Sequence, residues 1–380
     1  MKVSGRVGVN ASIVGENPTG LGLYTINLVR ELDKLRDDLV VYTSAPAAFD
    51  GVRAPVIAIT SAVRPDRGMR GHACRALWLQ TVQRVRSRAH GFRVVLNTVP
   101  EAILDRRIPQ VTVVHDLLPL RFPSEYPRQQ HYFRRIVPRA LRLSRRVIAD
   151  SESTRGDVVR HFGLAPEEVT VVYPGYDPAA YFPNGRGTLA PVSKPPYVLY
   201  VGNLLPHKNL VRLIDAFAML RRRVPVGLVI RGEGRPEYAR SLREQVETLG
   251  LDGAVQFLGY ADGRTLRDLY LGATCLVFPS LGEGFGLPVL EAMACGLPVI
   301  TSRVSSLPEI AGDAAVMVDP GDAVELAEAM HRVVTRSDLR EELRRRGLER
   351  ASQFSWRRTA VDVSRILDEV AESDAISRGA

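Results

Sequence analysis

Apolar residues fall along this chain in two alternating rhythms. Short, nearly continuous apolar runs mark candidate strands: KVSGRVGVN, LVVYTS, PVIAIT, RVVLN and VTVVHD in the first half. Between them lie runs such as LYTINLVRELDKL, whose apolar positions recur every three to four residues, the period of one helix face. A second series, YVLYVG, VGLVIRG, AVQFLG, TCLVFPS and LPVITS, follows the proline- and glycine-dense segment 173–196. Such density reads as a linker rather than an internal loop. Strands that alternate with helices predict parallel sheets covered on both faces. The expected fold class is therefore α/β, with two doubly wound, Rossmann-like domains facing a ligand cleft at the carboxyl ends of their strands. The final run, FSWRRTAVDVSRILDEVAES, predicts an amphipathic helix that offers Trp356, Ile366 and Val370 for burial.

Composition agrees with this picture. A chain of 380 residues exceeds what one core usually organises, so two domains are the default. The balance of 45% hydrophobic and 24% charged residues, with mean hydropathy −0.04, is that of a globular protein. No apolar run is long enough to cross a membrane, and the start shows no secretory leader. Cys74, Cys275 and Cys295 form no Cys-x-x-Cys and leave an odd count, which fits a reducing compartment. The expected location is the cytoplasm. A net charge of +9 is concentrated in residues 64–88 and 128–146, both in the first half. That half either faces polyanions or an anionic membrane surface, or carries solvated arginine faces. A nucleic-acid-binding protein is the reading suggested by charge alone, but the chain has no recognition-helix or RNA-binding signature.

The chemistry concentrates in SLGEGFGLPVLEAMACGLPVITS, residues 280–302. Pro288 suits a first helical turn and Gly296 a left-handed C-terminal cap, which predicts a helix over 288–295. GEGFG is then the loop at its N-terminus. Free N–H groups and the helix dipole there attract an anion, and glycines let backbone approach a ligand closely. On this reading Glu291 lies in the first turn and Glu283 in a flexible loop. Two carboxylates beside an anion site suit a ligand that carries hydroxyls as well as phosphate. A glycine-rich turn with a helix-capping glutamate is the structural alternative.

A second anion-facing stretch is YVGNLLPHKNL. Lys208 sits where a helix begins, a position the dipole disfavours, so a diphosphate-neutralising role explains it better. Arg231 follows a strand and is a further cation. In the first half, Gly20 and Gly22 stand between a strand and a helix, and His115 and Asp116 close the strand VTVVHD. The Gly-x-Gly-x-x-Gly spacing fails everywhere, no Walker lysine motif occurs, and there is neither Asp-x-Asp nor a zinc-like histidine cluster.

Taken together, PTGLGLYT, VVHDLLPLRFP, VIADSESTR, VTVVYPGYD, YVGNLLPHKNL, VQFLGY and EGFGLPVLEAMACGLPVITSRVSSLPEIAGDAAVMVDP resemble the GT-B glycosyltransferases of family 4, the large retaining group. The resemblance covers nearly the whole chain. It implies an N-terminal acceptor-binding domain over 1–176, a nucleotide-sugar-binding domain over 177–354, and a final helix, 355–380, that packs back on the first. Glu283 and Glu291 look like the family's pair of glutamates seven residues apart. By that resemblance Glu283 contacts the transferred sugar, and Glu291 the ribose. Gly284, Phe285, Gly286 and Leu287 present backbone to sugar and diphosphate, Lys208 neutralises the diphosphate, and His115 meets the donor sugar. The chain departs from the family twice. Asn203 stands where many members have arginine, leaving His207 or Arg231 to compensate, and Leu23 replaces an arginine just after Gly22 in the other donor loop.

The function so implied is retaining, metal-independent hexosyl transfer. The motifs HDLLPLRFP and NLLPHKNL look most like bacterial enzymes of surface-polysaccharide synthesis. The expected donor is GDP-mannose and the expected acceptor a lipid-linked saccharide, with an anionic membrane surface as a further partner and nucleic acid excluded. No cofactor is expected beyond the donor. Rhamnosyl or glucosyl transfer, or a 2-epimerase on the same architecture, remains as the alternative.

Overall fold

The structure, a computed structural model, describes residues 5–16, 18, 20–183, 196–259 and 263–379. Part of the expected linker (184–195), Thr19 of PTGLGLYT and Tyr260 of VQFLGY lie outside the described residues. The chain divides into two compact units, Met1–Gly175 with Ser355–Ala380, and Tyr176–Phe354.

The first unit holds seven strands: β1 (Val7–Asn10), β2 (Leu39–Thr43), β3 (Val56–Ala58), β4 (Val94–Asn97), β5 (Gln110–Val114), β6 (Arg146–Ala149) and β7 (Val169–Val171). They pair in parallel in the order β3-β2-β1-β4-β5-β6-β7. The central strands β1, β2, β4 and β5 are buried along their whole length, as sheets covered on both faces require. The helix Gly20–Leu35 lays Tyr24, Leu28, Val29 and Leu32 on this sheet. The terminal helix Trp356–Gly379 adds Trp356, Ile366 and Val370 to the same core, so its predicted apolar face is the buried one. Tyr24 and Trp356 meet edge to face, with centroids 5.3 Å apart. Arg36 and Arg93 bind both Asp38 and Asp368, which ties the terminal helix to the sheet through charge as well as packing.

The second unit holds β8 (Tyr197–Val201), β9 (Gly227–Arg231), β10 (Val255–Leu258), β11 (Cys275–Phe278), β12 (Val299–Ser302) and β13 (Ala315–Val318). Their order is β10-β9-β8-β11-β12-β13, again all parallel. In both units the winding reverses between two central neighbours, β1 and β4 in one, β8 and β11 in the other. Loops that leave the carboxyl ends of such a pair diverge and open a crevice for ligands.

Each predicted strand is present, but β6, β7 and β13 were not predicted as strands. Two of them, β7 and β13, are outer strands of three or four residues that lie mostly half-buried. Gly20 and Gly22 belong to the first helical turn rather than to the loop before it. A Cβ at Gly22 would come within 2.9 Å of the Pro18 side chain, which explains glycine there without a ligand. Part of the charge in 64–88 is also neutralised internally. Arg75 is buried on Glu101, Arg84 and Arg88 bind Asp105, and Arg64 binds Glu16. Among the described residues, no helix is long and apolar enough to cross a membrane.

Candidate functional site

The loop after β11 is not a flexible tether. Ser305 Oγ donates to the Glu283 carbonyl at 2.7 Å and accepts from the Glu283 amide at 3.1 Å. Ser306 Oγ donates to the Phe285 carbonyl at 2.9 Å. Gly286 has φ +109°, and a Cβ there would meet Leu307 Cδ2 at 2.8 Å, so only glycine turns this corner comfortably. The helix that follows is Leu287–Ala294, with Gly296 left-handed at φ +75° just beyond its end. Pro288 has no N–H, and the Val289 and Leu290 amides donate to the Gly286 carbonyl at 3.0 and 3.4 Å, so the first turn leaves the Leu287 amide for a ligand.

The loop after β8 meets this one because β8 and β11 are sheet neighbours. Asn209 Nδ2 donates to the Pro279 carbonyl at 3.1 Å and to the Pro320 carbonyl at 2.7 Å. Leu281 N donates to the His207 carbonyl at 2.8 Å. The result is a buried ion pair: Lys208 Nζ donates to both Glu283 oxygens, at 2.6 and 2.8 Å, with side-chain exposures of 13% and 8%. Lys208 Nζ also lies over the Phe278 ring, 5.4 Å from its centroid. An ammonium has three donors and the carboxylate uses two, so one N–H stays available for a phosphate oxygen.

Glu291 is the fifth residue of its helix, which corrects the first-turn placement. It is held by side chains that sequence spacing did not reveal. Tyr270 Oη donates to its Oε2 at 3.0 Å, Tyr181 also bonds it, and Arg231 faces it electrostatically. Burial is the dominant influence and pushes the Glu291 carboxyl up to about 7, against the pull of these three groups. Below its unfolded pKa the carboxyl is neutral in both states. As pH rises to about 7 the unfolded chain ionises first, so the native state loses stability over that window. Glu291→Gln is therefore expected to be more stable than wild type near about pH 8, by up to on the order of 3 kcal/mol, and to melt alike near about pH 4. Thermal melts across pH check this, and a difference independent of pH would contradict it.

The other expected donor residues sit around these two glutamates with unequal exposure. Asn203 is exposed, and its carbonyl accepts from Tyr200 Oη at 3.1 Å. His207 is buried at 1% exposure, so it is not presented to solvent as a replacement cation. Arg231 ends β9 half-buried on the Glu291 side. A Cβ at Gly232 would overlap the Gly202 backbone, so the loops after β8 and β9 run in direct contact. Gly284 and Phe285 are buried, and Leu287 is half-buried.

In the first unit His115 is enclosed. Its Nδ1 lies 2.7 Å from Asp150 Oδ2 and its Nε2 lies 2.7 Å from the Thr98 carbonyl. Tyr24 packs edge to face on the imidazole at 4.5 Å. Nearby, Glu101 receives Arg75 at 2.8 Å and His72 at 3.0 Å. Burial alone would raise this carboxyl, yet His72 and Arg75 hold it at about 2. Asp150, Thr98, Tyr24, Glu101, Arg75 and His72 were all missed from sequence. Among the described residues, no group of three or more histidine, cysteine or acidic side chains could hold a metal.

Two Rossmann-like, all-parallel sheets, with a lysine–glutamate pair at the second one's switch point, match the architecture of GT-B transferases. Known proteins agree. The family model "Glycosyltransferase Family 4" matches residues 18–180, and "Glycosyl transferases group 1" matches 183–350. O-antigen chain mannosyltransferase B of Escherichia coli is 32% identical over 68% of this chain and 70% of its own length. A D-inositol 3-phosphate glycosyltransferase of Saccharomonospora viridis is 34% identical over 62% of this chain and 57% of its own. The crystal structure of Anabaena HepE in complex with UDP and glucose shares the fold, with a TM-score of 0.74 at 23% identity, over 96% of this chain and 99% of that one. The chain belongs to glycosyltransferase family 4.

Proposed function

We propose that this chain is a retaining hexosyltransferase of surface-polysaccharide synthesis, moving mannose from GDP-mannose to a lipid-linked saccharide without a metal ion. The observation that carries the reading is the buried Lys208–Glu283 pair at the β8/β11 switch point, with Glu291 on the helix that follows. Negative charge grows on the diphosphate as it leaves the sugar. The third Lys208 N–H and the Leu287 amide at the start of the helix Leu287–Ala294 are donors suited to that charge. Glu283, fixed by Lys208, accepts hydrogen bonds from hydroxyls of the transferred sugar. Glu291 accepts from the ribose hydroxyls, exchanging bonds now made by tyrosine hydroxyls. Neutralisation by side chain and helix terminus makes a metal ion unnecessary in this scheme.

Mannose is favoured because the first of the two relatives above is a mannosyltransferase. A thermal-shift series with GDP-mannose, UDP-glucose and UDP-N-acetylglucosamine tests the donor, since a ligand bound only by the folded chain raises its melting temperature. A rise with GDP-mannose alone is expected; a rise with a UDP sugar alone would overturn the donor.

Support for a lipid-linked acceptor comes from the first unit. A cavity of about 510 Å³ there is lined by Arg134, Arg135, Arg142 and His161 together with Leu120, Pro138 and Phe162. Among the described residues, none of these four cationic or titratable groups forms an ion pair. Anionic headgroups suit such a surface, and the attraction is screened by salt. Vesicles containing phosphatidylglycerol are expected to bind the protein at low salt and release it at high salt. Equal binding to neutral phosphatidylcholine vesicles would contradict this part of the proposal.

A further inference from the structure

We propose that Asp150 is a positioning residue of the first unit, holding His115 doubly protonated so that its Nε2–H, now given to the Thr98 carbonyl, is a charged donor that a substrate oxygen takes over. The inference rests on the transferase reading above and extends it to a residue that reading leaves unassigned. Its basis is the register of two neighbouring strands. Val114 of β5 pairs with Ala149 of β6, so the next residue on each strand, His115 and Asp150, leaves the sheet side by side. The two side chains meet at 2.7 Å.

The protonation state follows from the partners. A backbone carbonyl only accepts, so the 2.7 Å contact with Thr98 requires hydrogen on Nε2. An ionised carboxylate also only accepts, so the contact with Asp150 requires hydrogen on Nδ1. Asp150 immediately precedes Ser151, which caps the helix Glu152–Phe162, so it stands at the positive end of that helix. Thr154 Oγ1 of the same first turn donates to the His115 carbonyl at 3.2 Å, so one helical turn fixes the residue and its counter-charge together.

The groups facing His115 are Asp150, Asp116 and Tyr24. Burial opposes the imidazolium charge, but Asp150, the Thr98 carbonyl and Asp116 outweigh it and raise the His115 pKa. Tyr24 stays a neutral phenol, pushed up first by burial and then by Asp150. Tyr24 Oη and Asp150 Oδ1 are both buried and have no hydrogen-bond partner among the described residues. A hydroxylated ligand reaching His115 would thus find an unused donor and an unused acceptor near the same imidazole. A charge-assisted bond from Nε2–H is about twice as strong as a neutral one. Since a raised histidine is charged below its pKa, this donor is lost as pH rises through it.

The test is nitrogen-15 NMR of the histidines in the full chain, with the His115 signals assigned by their loss in His115→Gln. Neither donor nor acceptor is needed. Both His115 nitrogens are expected to be protonated at about pH 7, with a midpoint above the ordinary value of about 6.5. Asp150→Asn should lower that midpoint by about one unit or more, and Asp150→Glu should restore part of it. In transfer assays the pH at which kcat/KM falls should move down in Asp150→Asn together with the NMR midpoint. A neutral His115 in the wild type at about pH 7, or an unchanged midpoint in Asp150→Asn, would overturn the proposal. If Asp150→Asn fails to fold, the wild-type titration alone decides. Absence of transfer with every nucleotide sugar would sink the transferase reading while leaving the NMR result intact.

Discussion

Glu283→Gln is expected to abolish sugar transfer, lowering kcat/KM by about a thousandfold, while the chain stays folded. Glutamine keeps one acceptor for Lys208 but removes the charge that orients the ammonium and binds sugar hydroxyls. Lys208→Met should cost about as much, because the diphosphate then leaves without its cation. The two residues act as a unit, since Lys208 Nζ donates to both Glu283 oxygens. The double variant should therefore lose far less than the product of the single losses. Glu283→Ala should behave differently from Glu283→Gln in stability. It leaves a nearly buried ammonium without its counter-charge, at a cost of about 3 kcal/mol. Initial rates with saturating donor, read beside melting curves, separate the two effects. Near-normal turnover in Glu283→Ala would sink the assignment of this site.

The second large effect is structural and lies where the chain leaves the first unit and re-enters it. A Cβ at Gly175 would overlap the backbone of Ser355 and Trp356. Neither segment has room to yield. Trp356 is buried in the core beside Tyr24, and Thr359 Oγ1 donates to the Tyr173 carbonyl at 2.7 Å. Gly175→Ala is therefore expected to destabilise the first unit by about 3 kcal/mol, lowering its melting temperature by on the order of 10 °C. Gly156→Ala is the contrasting case. It lies within a helix, and its Cβ would meet nothing nearer than Arg160 Nη2 at 3.9 Å. That change should stabilise by up to about 1 kcal/mol. Equal melting temperatures for the two variants would contradict this view of the junction.

Much of the scaffold was legible because its signals are local. A buried parallel strand writes a continuous apolar run, as in LVVYT, and a helix face writes a period, as in residues 20–35. Pro288 and Gly296 marked a helix to within a residue because each has one favoured place at a helix end. Signals that depend on neighbours in space were lost. Strands β7 and β13 lie at the ends of their sheets, are three and four residues long and are only partly buried.

The site divides along the same line. Lys208 stood out because the helix dipole disfavours a cation there, and Glu283 and Glu291 because two carboxylates stood beside an anion site. Their pairing did not, since Lys208 meets Glu283 only through the adjacency of β8 and β11. Tyr181 and Tyr270, which hold Glu291, carry no motif at all. Asp150 is the instructive omission. Aligning VTVVH with RVIAD as neighbouring parallel strands would have placed the carboxylate beside His115. The basic runs misled in the opposite direction. Arg75, Arg84 and Arg88 were read as part of a charged face, yet each is paired with an acidic residue of its own unit.

The most direct test of the whole account is proton NMR of the sugar during turnover. The purified chain would be incubated with GDP-mannose and a polyprenyl-diphosphate-linked saccharide, with and without EDTA. GDP release and a new α-mannosidic anomeric signal on the acceptor are expected, at equal rates in both samples. A β-linked product, loss of transfer in EDTA, or epimerised nucleotide sugar with the acceptor unchanged would contradict it.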